Sequence, residues 1–410
     1  MYYTASPSFA VHATTRRVDD VGDLLEWTAM RSPLAFLRNG DGIVGFGERA
    51  AFGHSGGDRV TELARQWREF CAAATIDDEV GLPGTGLVAF GSFAFSDDSA
   101  APSILTVPSV IVGRRDGVSW VTTFDSGQPD PHREPLWAPV EVTLAPGAMS
   151  EAAYVDAVSR AVGRIRAGEV AKVVLARDLV GSIPRLADHR AVLSRLAGAY
   201  PDTFTFAVDG LMGSSPETLV RVEGGTATAR VLAGTSGRGA DDAADARAAA
   251  TLASSPKDRA EHEFALASLV SALEPHASGV TTGDTFALQL PNLWHLATDV
   301  SATLSDGSSA LDLVAALHPT AAVAGSPTTA AVELIAELEP FDRGRYAGPV
   351  GWVDSDGDGE WAVALRCAQF TQWGEVVTAY AGAGIVADSD PERELAETRL
   401  KFLPVVDALS

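Results

Sequence analysis

The run Tyr380-Ala-Gly-Ala-Gly-Ile-Val386, continued by Ala-Asp-Ser-Asp390-Pro391-Glu392-Arg-Glu394-Leu-Ala-Glu397-Thr-Arg-Leu-Lys401, is the stretch around which the chain is organised. It reads as an apolar strand entering a glycine-rich turn, then a helix. Asp390 is placed to cap that helix and Pro391 to open it, at a position where proline's fixed φ and missing N–H cost nothing. Glu394 and Glu397 are three residues apart and Lys401 lies four beyond Glu397, so all three share one helix face.

A second stretch repeats the pattern. In Lys257-Asp258-Arg-Ala-Glu261-His262-Glu263, Asp258 and Glu261 are again spaced i,i+3, and they open an apolar run, Phe264 to Val270, that is expected to be buried. Either face alone reads equally well as a solvated surface laced with charge pairs. Two such helices together offer an oxygen-only ligand set for one hard divalent cation, which favours Mg²⁺ over zinc.

The chain has 410 residues, 46% hydrophobic and 21% charged, enough for an extensive core. No apolar run approaches the length of a membrane span. The opening Met1-Tyr-Tyr-Thr-Ala-Ser-Pro-Ser lacks a basic segment followed by an apolar one, so no secretory signal is expected. Cys71 and Cys367 are the only cysteines and neither sits in a metal or redox motif, which points to a cytoplasmic protein without disulfides. A net charge of −23 excludes a phosphate-binding surface of the kind nucleic acids require. An anionic substrate must therefore be captured by local cations and exposed backbone N–H groups.

Residues 1–145 read as mixed β and α with no chemical motif. Asn39-Gly40-Asp41-Gly42 between Leu34-Ala-Phe-Leu and Ile43-Val-Gly-Phe is a hairpin signal. A helix is expected from Asp58 to about Ala74 on an apolar stripe of Val60, Leu63, Ala64 and Trp67, with strands at 86–95, 109–113 and 118–123. The Pro-rich loop Ser126 to Pro146 reads as a connection within one large fold, because a domain boundary there would demand two separate cores. From residue 146 onward helices (150–166, 187–199, 242–254, 257–274, 309–317, 328–338) mix with strands without strict βαβ alternation. The fold class is therefore α+β, with antiparallel sheets packed against helices.

Several motifs carry two readings each. Lys172 opens the apolar strand Lys172 to Leu179, either as an edge lysine that discourages aggregation or as a cation at the rim of a pocket. A lysine acting as a base must shed its proton, which requires partial desolvation and a nearby cation. Glu217 follows a Ser-Pro turn in Leu211 to Glu217 and by itself reads as a plain polar residue. Arg230-Val-Leu-Ala-Gly234-Thr235 reads as a strand ending at a glycine turn. His295, in Leu293-Trp-His-Leu-Ala-Thr298, is either a satisfied core histidine or a pocket group. Arg366 lies inside an apolar strand, where a guanidinium demands an internal salt bridge or a carboxylate of the substrate. Asp354-Ser-Asp-Gly-Asp-Gly359 begins like a calcium loop but has Leu365 where the bidentate Glu belongs, so it reads as a hairpin turn.

The Ser-Pro-Glu217, Leu-Ala-Gly234-Thr235, Trp-His295-Leu-Ala-Thr298, His318-Pro-Thr-Ala-Ala322, Glu337 to Gly351 and Arg366-Cys-Ala blocks, with the two carboxylate helices, resemble the chorismate-utilising enzymes, which include isochorismate, salicylate, anthranilate and aminodeoxychorismate synthases. The resemblance covers residues 146–410 and is nearest the isochorismate synthases. It implies one large chorismate-utilising fold around a central active site. It also implies Mg²⁺-dependent attack of water on C2 of chorismate with loss of the C4 hydroxyl, for menaquinone or siderophore synthesis. Lys172 is then the base and Glu217 the acid. Glu261, Glu397, Glu394 and Asp258 are the metal residues, and Gly234, Thr235, His295, Thr298, Ala322, Arg366, Tyr380, Gly382, Gly384 and Lys401 line the substrate site. Ala233 stands where aminodeoxychorismate synthases carry a nucleophilic lysine, which disfavours a covalent route. Salicylate synthase and a non-catalytic chorismate-binding homologue are the alternatives. No nucleic-acid or membrane partner is expected, and the chain is expected to be a monomer or weak dimer.

Overall fold

The computed structural model describes residues 11–124, 133–138, 141–289, 293–371 and 375–410. Part of the 126–146 loop and the segment inspected for a secretory signal lie outside them. Helices are α1 (Arg59–Ala72), α2 (Glu151–Arg166), α3 (His189–Ala199), α4 (Asp242–Ser254), α5 (Pro256–Leu273), α6 (Ala310–Leu317), α7 (Thr328–Leu338) and α8 (Pro391–Leu409). No described helix is long and apolar enough to cross a membrane.

Among the described residues two large sheets, of 13 and 10 strands, form the framework, and in each a block of strands from residue 145 onward continues into a block from before it. In the larger, Lys172–Ser182 pairs antiparallel with Val376–Ile385, which continues through Cys367–Phe370, Leu211–Ser215 and Phe204–Val208 to Leu34–Arg38. Among the described residues pairing is antiparallel except between Val11–Val18 and Ala74–Asp78. The smaller sheet carries Leu293–Leu304, Thr226–Gly237, Thr218–Glu223, Gly359–Val363 and Pro349–Asp354 as neighbours.

Local chemistry accounts for the element ends. Arg38 pairs with Asp41 around Asn39 and Gly40, both at positive φ, as a two-residue hairpin turn requires. The Ser150 hydroxyl accepts the Ala153 N–H to cap α2, and Asp390 accepts the Arg393 N–H to cap α8. Helix α1 buries the expected Val60, Leu63, Ala64 and Trp67. The main core lies where the two sheets face each other, around Phe90, Phe93, Phe206, Leu175 and Trp361. A second core, with Leu193, Leu196, Phe402, Val405 and Leu409, closes the outer face of the larger sheet under α3 and α8.

Five expectations are corrected. The glycines after Tyr380 are strand, and the turn comes later, where Ser389 N–H reaches the Val386 carbonyl. Leu211–Ser215 is likewise a strand, paired with Phe204–Val208, so only Pro216 and Glu217 bridge to the next one. The strand at Thr226 does not end at Gly234 but runs to Gly237, with a shift of register between Ala233 and Thr235; Gly234, at φ +76, supplies the left-handed residue of that bulge. Arg366 is not inside one strand: Gly359–Val363 belongs to the smaller sheet and Cys367–Phe370 to the larger, and Arg366, at φ 49, sits where the chain crosses between them. The apolar run of α5 is also less buried than its composition demands. Ala265, Leu266 and Leu269 pack only partly against the core, and Phe264 is 53% exposed.

Candidate active site

A cavity of about 200 Å³ opens where strands of both sheets meet α5 and α8. Its lining takes in Lys172, Glu217, Gly234, Thr235, Asp258, Glu261, His295, Ala322, Arg366, Tyr380, Gly382, Gly384, Glu394, Glu397 and Lys401. Thr298 is not brought to it; that side chain is fully buried, hydrogen-bonded to His262 Nε2 at 2.7 Å and to the Thr285 hydroxyl at 2.8 Å. Tyr346, Leu365, Val174 and Ala347 also line the cavity. Sequence reading passed over them: Val174 and Leu365 belong to apolar runs that look like core, and Tyr346 and Ala347 follow Arg343-Gly-Arg345 with no chemical pattern of their own. The one available signal was the close match of the 337–351 block, which contains Tyr346, to the isochorismate synthases.

Lys172 is held at the start of its strand by pairing with Ser326 on one side and, through Val173, with Ile385 on the other. Its ammonium lies 2.5 Å from Glu261 Oε1 on α5. Gly384 makes room for it, since a Cβ at that position would stand 2.9 Å from Lys172 Cε. Glu217 is anchored through its backbone: its N–H donates to the Ser215 hydroxyl at 3.2 Å, and its carbonyl accepts from Val363 at 3.1 Å. Desolvation pushes the Glu217 carboxyl up to about 7, against the pull of Lys172, Arg366 and Lys401. An adjoining cavity of about 300 Å³, walled by Leu232, Leu269, Ala272 and Leu317, reaches the same glutamate and contributes to that apolar setting.

Arg366, half-buried at the cavity, differs from the buried cations. Arg343 is paired with Glu339 at 2.6 Å and Arg190 with Asp188 at 2.7 Å, whereas the Arg366 guanidinium makes no hydrogen bond or ion pair among the described residues. Desolvation lowers its affinity for its proton, offset in part by Tyr346, Glu397 and Glu217. Lys401 reaches Glu397 at 2.6 Å and the Gly382 carbonyl at 2.9 Å. Burial opposes ionisation of Glu397, but Lys401 and Arg366 outweigh it and hold the carboxyl below its ordinary range. His295 Nδ1 lies 3.1 Å from both the Gly234 carbonyl and the Thr235 hydroxyl. Burial pushes this imidazole down to about 4, so it is neutral at pH 7. An Nδ1–H donated to the carbonyl leaves Nε2 as the ring's acceptor.

The four carboxylates assigned to metal all line the cavity, two from α5 and two from α8. Among the described residues no three His, Cys, Asp or Glu side chains stand close enough together to hold a metal ion. Glu261 and Glu397 are instead each neutralised by a lysine. The donor set, all carboxylate oxygen from α5 and α8, suits a hard cation, which would have to compete with Lys172 and Lys401 for those two residues.

Comparison with known proteins agrees with this geometry. Residues 132–410 match the family model described as chorismate binding enzyme. A Mycobacterium tuberculosis protein that carries the provisional name isochorismate synthase MenF is 39% identical over 368 residues, 86% of this chain and 94% of that protein. The isochorismate synthase DhbC of Bacillus subtilis is 40% identical over 62% of this chain and 67% of its own length. The fold is also that of the menaquinone-specific isochorismate synthase MenF of Escherichia coli, with a TM-score of 0.81 at 24% identity, covering 98% of this chain and 95% of that one. A match over two thirds of the sequence, on the same residues that form the cavity, makes this chain a member of the chorismate-binding enzymes.

Proposed function

We propose that the chain is an isochorismate synthase, and that Arg366 is the observation that carries the reading. A half-buried guanidinium at the junction of two sheets, with no carboxylate of its own among the described residues, is costly, and a carboxylate of a bound dianion supplies the missing partner with matching fork geometry. Lys401, close by, offers a second cation. The ring then lies among Lys172, Glu217 and the Ala233–Thr235 bulge, with Tyr346 and Tyr380 as walls.

The chemistry is an exchange of one oxygen for another. Lys172, once free of Glu261 and with its ammonium proton lost to solvent, takes a proton from water as the neutral amine; the water oxygen bonds to C2; the ring double bond migrates; and the C4–O bond breaks as Glu217 gives its proton to the departing hydroxyl. Water is consumed and released, and the two protonated groups end reversed, so a proton must return from Lys172 to Glu217 through solvent. A carboxyl that keeps its proton up to about 7 is suited to that donation near neutrality. Glu261, Glu397, Glu394 and Asp258 are the residues that would hold Mg²⁺, which when bound supplies positive charge to a substrate carboxylate. Ala233 and the carboxylate-rich wall offer no amine nucleophile at the bulge, which favours addition of water over a covalent intermediate.

The test is incubation with chorismate and Mg²⁺ followed by identification of the product. Isochorismate is expected. Salicylate would instead mean that pyruvate is eliminated in the same cavity, and chorismate bound but unchanged would mean a non-catalytic binder.

A further inference from the structure

Tyr380 belongs to the lining of two cavities. Beyond the active site it borders a second one, of about 1010 Å³, between the edge strand Ala50–His54, the Asp209-Gly210 hairpin turn, the end of Cys367–Phe370 and residues 342–345. No part of the proposed reaction uses it. Phe52, Ile104 and Phe370 give it apolar walls, and its ionisable lining comprises Arg31, Arg49, Arg343 and Arg345 against Glu48, Asp209 and Asp342.

Most of these charges are already committed. Arg343 is held by Glu339, and Arg345 pairs with Asp209 at 2.7 Å and donates to the Pro102 carbonyl at 2.8 Å. The Asp342 carboxylate accepts from the Ser99 hydroxyl at 2.9 Å and from the N–H groups of Ala100 and Gly344 at 2.8 Å each. Glu48 lies exposed at the rim. The half-buried Arg49 guanidinium, by contrast, makes no hydrogen bond or ion pair among the described residues. In a chain of net charge −23 this leaves an available cation at a cavity with some apolar walls and of a size that takes small organic molecules.

The two cavities share structure. Tyr380 stacks on Tyr346, centroids 5.1 Å apart and planes at 15°, and Tyr346 lines the active site. Arg343, on the second cavity, lies 5.8 Å from the centre of the Tyr346 ring. Residues 342–347 and strand Val376–Ile385 each contribute to both linings.

We propose that the second cavity is an effector site for a small organic anion, a carboxylate carried on an aromatic ring, anchored by Arg49 and sensed in the active site through the Tyr380–Tyr346 stack. Because coupling between two equilibrium sites is reciprocal, a bound active-site ligand must change the affinity of the second site by the same factor.

1-Naphthoate is a suitable probe, titrated calorimetrically into the protein in Mg²⁺ buffer. It is expected to bind, to bind about tenfold more weakly to Arg49→Ala, a loss on the scale of one charge-assisted pair, and to recover in Arg49→Lys. With chorismate present its Kd is expected to shift to a limiting value as chorismate is raised. No binding, equal binding to Arg49→Ala, or equal binding of the neutral 1-naphthamide would overturn the anion site. A Kd that rises without limit with chorismate would place the probe in the active site, and an unchanged Kd would remove the coupling. Each readout is a binding constant, so the outcome is separate from which product the enzyme forms.

Discussion

The Lys172 ammonium stands 2.5 Å from a carboxylate oxygen of Glu261, which joins the residue proposed to activate water to one proposed to hold the metal. The two roles compete for one contact: a metal that claims Glu261 releases Lys172. Replacing Lys172 by Met is therefore expected to cut isochorismate formation by about 10²–10⁴, the usual scale for loss of a general base. Mg²⁺ should nevertheless bind severalfold more tightly, because Glu261 is no longer shared. Calorimetry with Mg²⁺ alone checks the second half, and unchanged Mg²⁺ affinity would remove Glu261 from the ligand set.

The four carboxylates are not expected to be equivalent. Glu261→Gln and Glu397→Gln each remove a charge that offsets a bound divalent cation and should abolish turnover at ordinary Mg²⁺ concentration with the fold intact. Glu394→Gln and Asp258→Asn are expected to cost tenfold to a hundredfold, as supporting residues around a metal typically do. Activity measured across a Mg²⁺ series separates the two classes.

Glu217 links pH to both rate and stability. As the proton donor it must be protonated in the free enzyme, so kcat/KM should fall as pH rises through about 7. The stability sign follows from proton counting. Between the ordinary carboxyl range and about 7 the folded state holds a proton that the unfolded chain has lost, so stability declines with rising pH across that window and is level above it. Glu217→Gln should then lose about 10²–10⁴ in rate yet be the more stable protein at pH 8, by no more than ~3 kcal/mol, with the gain absent at pH 4. Denaturant melts at the two pH values decide the point.

Arg366 carries the opposite trade. Its desolvated, unpartnered guanidinium weakens the free protein and is repaid by a substrate carboxylate. Arg366→Met keeps the same backbone and similar volume, so it is expected to raise Tm while weakening chorismate binding by about 10²-fold or more. A lower Tm with binding preserved would mean that the side chain is structural.

How much of this was legible before the fold was known depended on whether the signal was local. The Asn39-Gly40 hairpin, the Asp390 cap and the placement of Glu394, Glu397 and Lys401 on one helix face all follow from short-range geometry, and the structure reproduces each. The features that failed are those set by partners distant in sequence. Nothing local distinguishes a glycine that ends a strand from one that bulges it, and Gly234 is a bulge because strand Leu293–Leu304 continues beside it. The Ala364-Leu365-Arg366 crossing is invisible in an apolar run, since only sheet assembly decides that Val363 and Cys367 belong to different sheets. The apolar composition of α5 implied burial, yet much of that helix faces outward. Thr298 shared a motif with His295 but, three residues further on, points to a different neighbourhood, where His262 and Thr285 take it.

Gly384 offers a way to disturb Lys172 without touching its charge. A methyl group at this position would sit 2.9 Å from Lys172 Cε and 3.5 Å from Nζ, and the nearest atoms are the flexible end of a side chain, so the strand can keep its pairing while the lysine moves aside. Gly384→Ala should therefore fold normally, keep Arg366 and Lys401 in place, and bind chorismate with little change. Its kcat is expected to fall by about 10–10²-fold, since small displacements of a reacting group are costly in rate. If the loss acts through the lysine, Gly384→Ala added to Lys172→Ala should cost almost nothing further, whereas independent sites would give additive losses. Additivity in that cycle would show that Gly384 matters for approach of the substrate itself and not for the position of Lys172.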